Sequence, residues 1–168
     1  MHNNHHTGSA ASTSCTAHLA DEAATLQLGE QLATILHPGL TVFLYGELGA
    51  GKTTLARGIL RGFGHQGKVR SPTYNLVEIY KFSRLYLYHF DFYRLNDPAE
   101  WEEAGFREYF NQASICLIEW PEKATGVLRT ADLKITLTYS GTGRIVKIDA
   151  ETEAGKRCLA HWQSLKLR

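Results

Sequence analysis

The chain alternates between short apolar runs and amphipathic stretches, a pattern typical of strands interleaved with helices. Thr41–Tyr45 and residues 114–120 are continuous aliphatic and aromatic runs of the length of a buried strand. After Asp21, a residue type that caps helices, leucines and isoleucines recur at helical spacing as far as Leu36. A second helix is predicted over residues 52–63. This order of elements predicts an α/β domain with helices flanking a sheet.

Two antiparallel hairpins are predicted in addition. Residues 74–82 and 85–93 are rich in aromatic and aliphatic residues and are joined by a two-residue link. Apolar and polar residues alternate over 133–139 and again over 146–149, which predicts a hairpin with one face in water. A short helix is expected after Asp97, and a closing helix over residues 152–165 is expected to bury three apolar side chains, those of Leu159, Trp162 and Leu165.

The first eighteen residues differ from the rest in composition. They are rich in His, Asn, Ser, Thr and Ala and have no hydrophobic period. Such a segment buries too little apolar surface to offset the entropy of ordering. We therefore expect a disordered leader over residues 1–18 and a single domain over residues 19–168.

Charge and cysteine content narrow the classes of function. The 18 basic and 17 acidic residues give a net charge of +1, so no broad field attracts nucleic acid or a membrane surface. No apolar run reaches the ~18 residues of a membrane span. The three cysteines are far apart and have no metal-binding or redox spacing, as expected of reduced thiols. We expect a cytoplasmic protein that does not associate with membranes.

A phosphate-binding loop follows the strand Thr41–Tyr45. The loop pattern is a glycine, four free positions and then Gly-Lys-Thr, just before a predicted helix. Glycines allow backbone amides to turn toward a polyphosphate, Lys52 is expected to contact the β- and γ-phosphates, and Thr53 to bind Mg²⁺. The residues expected to hold the nucleotide here are Gly46, Glu47, Leu48, Gly49, Ala50, Gly51, Lys52, Thr53 and Thr54.

Two carboxylates at strand ends are candidates for the remaining catalytic positions. Asp91 and Glu119 each follow an apolar run, where burial of a carboxylate is costly unless a cation or metal balances it. One would hold Mg²⁺ and the other would orient the attacking water, and together with Lys52 they form the predicted catalytic set. Spacing alone does not decide which carboxylate has which role.

Three further residues have two interpretations each. Thr73, after Ser71-Pro72, is either a switch residue that contacts the γ-phosphate or a turn residue. Arg94 either neutralises phosphate charge or pairs with Asp91. Trp120 either serves the site, by stacking on a ligand or by walling it, or packs against the core.

In chain order, four blocks resemble the bacterial TsaE family, also called YjeE. The similarity extends over about residues 21–144, and the third block is the most diagnostic. The blocks are residues 46–54, Ser71-Pro72-Thr73-Tyr74, Tyr88-His89-Phe90-Asp91-Phe92-Tyr93-Arg94 and Ile118-Glu119-Trp120-Pro121.

The resemblance implies a P-loop ATPase with a mixed sheet and hairpins. Such a protein binds ATP or ADP with Mg²⁺ and supports formation of N6-threonylcarbamoyladenosine at position 37 of tRNAs that read codons beginning with A. It acts with the TsaD–TsaB complex and meets tRNA through that complex. The resemblance also implies that Thr53, Asp91 and Glu119 serve the metal and hydrolytic site, that Thr73 belongs to a switch, and that Thr25 contacts the nucleotide.

Two other functions are compatible with a phosphate loop. A small-molecule kinase would use the same loop but needs an acceptor pocket and usually a basic lid, and the arginines after Glu119 are scattered along the chain. A non-catalytic ATP-sensing adaptor would need binding but no hydrolysis. Adenine is the expected base, because the chain has no Asn-Lys-x-Asp segment that would read guanine.

Overall fold

The computed structural model describes residues 13–72 and 74–166. Within these ranges one seven-stranded sheet has the order β1-β7-β6-β2-β5-β4-β3. The strands are β1 (Ser14–Leu19), β2 (Thr41–Tyr45), β3 (Val77–Lys81), β4 (Tyr86–Asp91), β5 (Ser114–Glu119), β6 (Leu133–Ser140) and β7 (Gly143–Ala150). The helices are α1 (Glu22–Ala33), α2 (Lys52–Gly62), α3 (Pro98–Glu103) and α4 (Glu153–Lys166).

The sheet is mixed in direction. The four central strands β6, β2, β5 and β4 run parallel, whereas β3, β7 and β1 join it by antiparallel pairing. Both predicted hairpins are therefore confirmed, as is an α/β P-loop-like fold. Because parallel strands end at the same edge, the segments that leave β2, β4 and β5 all emerge together.

Side chains alternate between two hydrophobic layers on opposite faces of the sheet. In β5, Ile115 and Leu117 belong to the larger layer, which also includes apolar residues of α1, α2 and α4. Cys116 and Ile118 belong to a smaller aromatic layer that includes Trp101 of α3. The side chains of all six β5 residues are buried, as predicted for a central strand.

Helices α1 and α2 pack at unusually close range. A Cβ on Gly29 would lie 2.6 Å from the backbone oxygen of Leu55, and one on Gly58 would collide with the backbone oxygen of Leu26. Two glycines therefore let the backbones touch. This contact fixes α1 beside the first turn of α2, where the phosphate loop ends.

Local capping follows the sequence predictions. The Asp21 carboxylate accepts a hydrogen bond from the Ala24 amide at 2.9 Å, and Asp97 caps α3 through the Ala99 amide at 2.9 Å. These bonds satisfy amides that have no partner within the helix. Both predicted helix starts are confirmed.

Two sequence predictions were wrong. Residues 14–18 do not belong to a disordered leader, because Ser14–Leu19 pairs along its length with β7, from Ser14 opposite Asp149 to Leu19 opposite Arg144. Residues 1–12 of that leader lie outside the described residues. In α4, Leu159 and Trp162 are buried as expected, but Leu165, in the last turn of the helix, is exposed.

None of the helices in the described ranges has the length and apolar character needed to cross a bilayer.

Candidate functional site

The phosphate loop connects the end of β2 to the start of α2. Gly46, Gly49 and Gly51 have φ angles of +151°, +81° and +109°, which side chains with a Cβ rarely adopt. A Cβ on Gly46 would also lie 2.8 Å from the backbone oxygen of Leu137. The glycine spacing in the sequence is thus required by the backbone path. Gly51 is the N-cap of α2 and makes no side-chain cap, so the first amides of α2 can serve a ligand.

Lys52 is buried at the first position of α2, with 5% of its surface exposed. Its Nζ donates hydrogen bonds to the backbone oxygen of Gly46 and, at 3.4 Å, to that of Glu47, and it lies 3.8 Å from the ring centre of Trp120. Burial lowers the pKa of Lys52, while the nearby carboxylates of Glu119, Glu122 and Asp91 oppose that shift. The Lys52 ammonium therefore lies inside the loop, directed at the loop's carbonyl groups.

Thr53 and Glu119 meet where α2 approaches the end of β5. The Thr53 hydroxyl lies 3.1 Å and 3.2 Å from the two carboxylate oxygens of Glu119. Glu119 is 2% exposed. The structure therefore brings together two of the predicted metal ligands, although they are 66 positions apart in the chain.

Asp91 lies beside Glu119 at the end of the neighbouring strand, where the two residues are register partners. One Asp91 oxygen accepts from the Ser71 hydroxyl, and the other accepts from the Tyr93 amide at 2.9 Å. Ser71 lies two positions before Thr73 in the chain, so this segment is attached to the site through Asp91. Thr73, the predicted switch residue itself, lies outside the described residues.

His89 is a site residue to which the sequence assigned no role. It is fully buried on β4, two positions before Asp91, and its Nε2 lies 2.6 Å from Glu119 Oε2. Alternation along β4 places His89 and Asp91 on the same face of the sheet. The signal in the sequence was a histidine inside a run of otherwise apolar strand residues.

Tyr139 and Arg144 brace the outside of the phosphate loop. They face each other across the β6–β7 hairpin, and the guanidinium carbon lies 4.2 Å from the tyrosine ring centre. The Tyr139 hydroxyl donates to the Leu48 backbone oxygen at 2.8 Å, and Arg144 donates to the oxygens of Ala50 at 3.1 Å and Gly49 at 3.3 Å. Arg144 had been grouped with scattered arginines, and folding of the hairpin makes it part of the site.

Two cavities of about 390 and 370 Å³ flank the phosphate loop. Gly49, Gly51 and Thr54 contribute to both. The first also contains Asp91, Glu119 and Lys52. The second also contains Asp21, Glu22, Thr25 and Arg144. The first is lined by Leu48, Gly49, Gly51, Lys52, Thr53, Thr54, Ser71, Asp91, Tyr93, Arg94, Glu119 and Trp120. The size and polar lining of the pair suit a ligand that crosses the loop.

Thr25 is buried on α1, and its hydroxyl donates to the Asp21 backbone oxygen at 3.4 Å. Its predicted nucleotide contact stays a prediction. Arg94 lines the first cavity, and its guanidinium lies 4.9 Å from the ring centre of Tyr74, not against Asp91.

Trp120 follows Glu119 with a φ of +57°, which is rare for a residue with a side chain. This turn directs its ring toward Tyr93, at 5.1 Å between centres, and under Lys52. Trp120 thus walls the first cavity, as one of its two interpretations proposed. Stacking on a ligand stays a prediction.

The oxygen atoms of this cavity suit Mg²⁺ chemically. Thr53, Glu119 and Asp91 offer hydroxyl and carboxylate oxygens, which Mg²⁺ prefers. Over residues 13–72 and 74–166, no cluster of three or more His, Cys, Asp or Glu side chains is arranged to hold a metal. The residues therefore fit a cation that takes few protein ligands and the rest from phosphate and water.

Comparison with known proteins gives a consistent match. The family model "Threonylcarbamoyl adenosine biosynthesis protein TsaE" matches residues 19–147. The chain is 47% identical to a tRNA threonylcarbamoyladenosine biosynthesis protein TsaE from Haemophilus influenzae, over 88% of this chain and 96% of the relative. It is 37% identical to the protein of that name from Bacillus subtilis, over 70% and 73% of the two chains. The crystal structure of YdiB from Bacillus subtilis superposes with a TM-score of 0.79 and 25% identity, covering 91% and 96%.

Proposed function

The chain belongs to the TsaE family, and from that premise we propose that it supports formation of N6-threonylcarbamoyladenosine in tRNA by binding and hydrolysing ATP with Mg²⁺. The modified base is at position 37 of tRNAs that read codons beginning with A. The chain acts with the TsaD–TsaB complex and meets tRNA through it. The names of the relatives support the role in tRNA modification, and the geometry of the site supports ATP binding and hydrolysis.

The contact between Thr53 and Glu119 is the observation that supports ATP chemistry most strongly. In a phosphate-loop enzyme, the threonine after the lysine binds the metal, and a carboxylate at a neighbouring strand end completes the metal's surroundings. Here the hydroxyl and the carboxylate lie 3.1 Å apart beside a cavity that also contains Lys52. A glycine-rich turn without a nucleotide would not need to bury a lysine and a glutamate together.

In this proposal, ATP binds with one part of the molecule in each of the two cavities. The triphosphate lies in the cavity that contains Lys52 and the carboxylates, against the first amides of α2. The adenosine lies in the cavity beyond the loop, where Thr25 and Arg144 contribute to the wall. On binding, the Lys52 ammonium exchanges its loop carbonyls for phosphate oxygens, a stronger charge-assisted contact.

The two carboxylates differ in their contacts, and so in their roles. Glu119 is joined to Thr53 and belongs on the metal side. Asp91 accepts a hydrogen bond from Ser71, in the segment just before Thr73. In this proposal Asp91 orients the attacking water. Water attacks the γ-phosphorus, the bond to the β,γ-bridging oxygen breaks, and ADP, phosphate and a proton are released. Mg²⁺, when bound, neutralises charge that develops on the phosphate oxygens.

A phosphate-release assay with and without TsaD–TsaB tests this proposal. We expect acceptor-independent release from ATP that TsaD–TsaB accelerates, because the loop that carries Ser71 needs a partner to close the site. Phosphate that appears on a small-molecule acceptor would show a kinase instead. Equal rates with and without TsaD–TsaB would contradict the partnership.

Substitutions of the two carboxylates separate their roles. Glu119→Gln is expected to raise the Mg²⁺ concentration for half-maximal hydrolysis about tenfold or more. Asp91→Asn is expected to lower kcat by on the order of a hundredfold with an unchanged Mg²⁺ requirement. Glu108→Gln, on the exposed side of the turn after α3, is the matched control and should behave as wild type. If Glu119→Gln supported full threonylcarbamoylation while hydrolysis was abolished, a non-catalytic adaptor would be the better account.

A further inference from the structure

We propose that His89 is a positioning residue that holds the Glu119 carboxylate in the geometry needed for metal binding. The proposal deepens the proposed function and rests on it. Its basis is a fully buried imidazole whose Nε2 lies 2.6 Å from Oε2 of the Glu119 carboxylate, which Thr53 also contacts.

The geometry leaves Glu119 no alternative orientation without losing a bond. Its oxygens accept from Thr53 Oγ1 on α2 and from His89 Nε2 on β4. Glu119 itself is at the end of β5. Three separate elements therefore determine where one carboxylate points. A hydrogen bond from a residue that does not touch the metal, here His89, keeps a metal ligand aligned. Glu119 therefore stays in place when the Thr53 hydroxyl turns from it toward the metal.

The chemistry of the acceptor identifies the donor. A carboxylate oxygen accepts hydrogen bonds, so His89 Nε2 donates to Glu119 Oε2 at 2.6 Å. His89 Nδ1 is buried and has no hydrogen-bond partner among the described residues. Among those residues, the hydrogen bond to Glu119 is therefore the one that orients the ring.

Burial makes this contact selective for histidine or a close mimic. His89 lies opposite Leu117 in the β4–β5 register and beside the larger hydrophobic layer. Water does not reach the ring, so no solvent molecule replaces a lost donor. A leucine fills the apolar surroundings but removes the donor that holds Glu119 Oε2 from β4, so that Thr53 alone orients the carboxylate. A glutamine can present a side-chain amide N–H at a position near that of Nε2.

Two substitutions test the inference in the complex with TsaD–TsaB. His89→Leu is expected to raise the Mg²⁺ concentration for half-maximal ATP hydrolysis by about tenfold or more. His89→Gln is expected to restore that concentration to within about threefold of wild type. The affinity for ADP without Mg²⁺ should be unchanged in both variants, because His89 hydrogen-bonds to Glu119, which serves the metal and does not belong to the phosphate loop. Equal Mg²⁺ requirements in wild type and His89→Leu, or no recovery in His89→Gln, would overturn it.

A measurement without nucleotide keeps the inference testable even if His89→Leu does not fold. Nitrogen-15 NMR of histidine-labelled wild-type protein should show the His89 proton on Nε2 and slow exchange of that proton with solvent. In Glu119→Ala this proton should exchange at least tenfold faster. A proton on Nδ1, or exchange that Glu119→Ala leaves unchanged, would contradict the inference. If wild type neither bound Mg²⁺·ATP nor released phosphate, the proposed function would fail while this NMR result could still stand.

Discussion

Lys52 shows how a single buried charge prepares the site. Its ammonium donates to loop carbonyls and lies over the Trp120 ring, and burial lowers the pKa of Lys52. A lysine whose pKa is lower in the folded than in the unfolded chain disfavours folding when charged. The free energy of unfolding therefore rises as the pH increases from the pKa of Lys52 in the folded protein toward the ordinary pKa of lysine. The protein thus accepts a cost in stability at neutral pH to keep a cation ready for phosphate.

Lys52→Met separates the contribution of Lys52 to phosphate binding from its cost to stability. ATP affinity should fall by about 1.5–3 kcal/mol, tenfold or more, because a charge-assisted hydrogen bond to phosphate is lost. The unfolding temperature of the ligand-free protein should equal or exceed that of wild type, because a desolvated charge has been removed. Calorimetric titration with ATP and thermal unfolding measure the two quantities. Unchanged affinity would contradict the phosphate contact assigned to Lys52.

Arg144 is expected to matter although the hairpin that carries it is distant in sequence. Arg144→Ala removes donors to the backbone oxygens of Gly49 and Ala50, so the loop should lose part of its preorganised shape. At about 1 kcal/mol for each bond, ATP affinity should fall by roughly tenfold or more. Tyr139→Phe loses one hydrogen bond to the Leu48 backbone oxygen, so its ATP affinity should fall by roughly fivefold.

Arg157→Ala, an exposed position on α4, is the control for these two variants and should bind as wild type does. If Arg144→Ala and Tyr139→Phe both bound ATP with wild-type affinity, the bracing role of the hairpin would be wrong.

At the scale of elements, the close contact of α1 with α2 sets the position of the loop. Gly58 lies where α2 meets the backbone of α1, so an alanine there must push the helices apart. We expect Gly58→Ala to lower the free energy of unfolding by about 1–2 kcal/mol, since overpacking outweighs the better helix propensity of alanine. ATP affinity should fall as well, because α2 carries Lys52 and Thr53.

Gly67→Ala is the matched control, because only the movable His65 ring lies near its new methyl group. Its stability should stay within about 0.5 kcal/mol of wild type. Chemical denaturation measures both variants, and equal stability of Gly58→Ala and wild type would contradict the tight packing of α1 on α2.

The sequence predicted what depends on local pattern and missed what depends on register. The loop between β2 and α2 and the carboxylates Asp91 and Glu119 were predicted, because each directly follows an apolar run. The contact of His89 with Glu119 requires the alignment of β4 on β5, which no local pattern encodes. Arg144 reaches Ala50 across 94 positions of chain only after the second hairpin folds.

At the scale of the whole molecule, β1 protects an edge of the sheet. Without it, β7 would offer unpaired backbone groups to other chains. β1 was missed because Ser14–Leu19 has polar residues interspersed without strict alternation, so pairing and not pattern stabilises it. Leu19 also contributes to the larger hydrophobic layer.

A chain that begins at residue 20 is therefore expected to unfold at lower temperature than one that begins at residue 13, and to self-associate. Thermal unfolding and light scattering of the two chains provide the measurements. Identical midpoints and monomeric behaviour would show that β1 contributes nothing to stability.

The most direct test of the whole account is a crystal structure with Mg²⁺ and a non-hydrolysable ATP analogue. We expect Lys52 Nζ to leave the Gly46 carbonyl for the β- and γ-phosphates, and the Thr53 hydroxyl and Glu119 to lie on the metal side. A nucleotide bound elsewhere, with Lys52 still on its loop carbonyls and the contact between Thr53 and Glu119 unchanged, would contradict it.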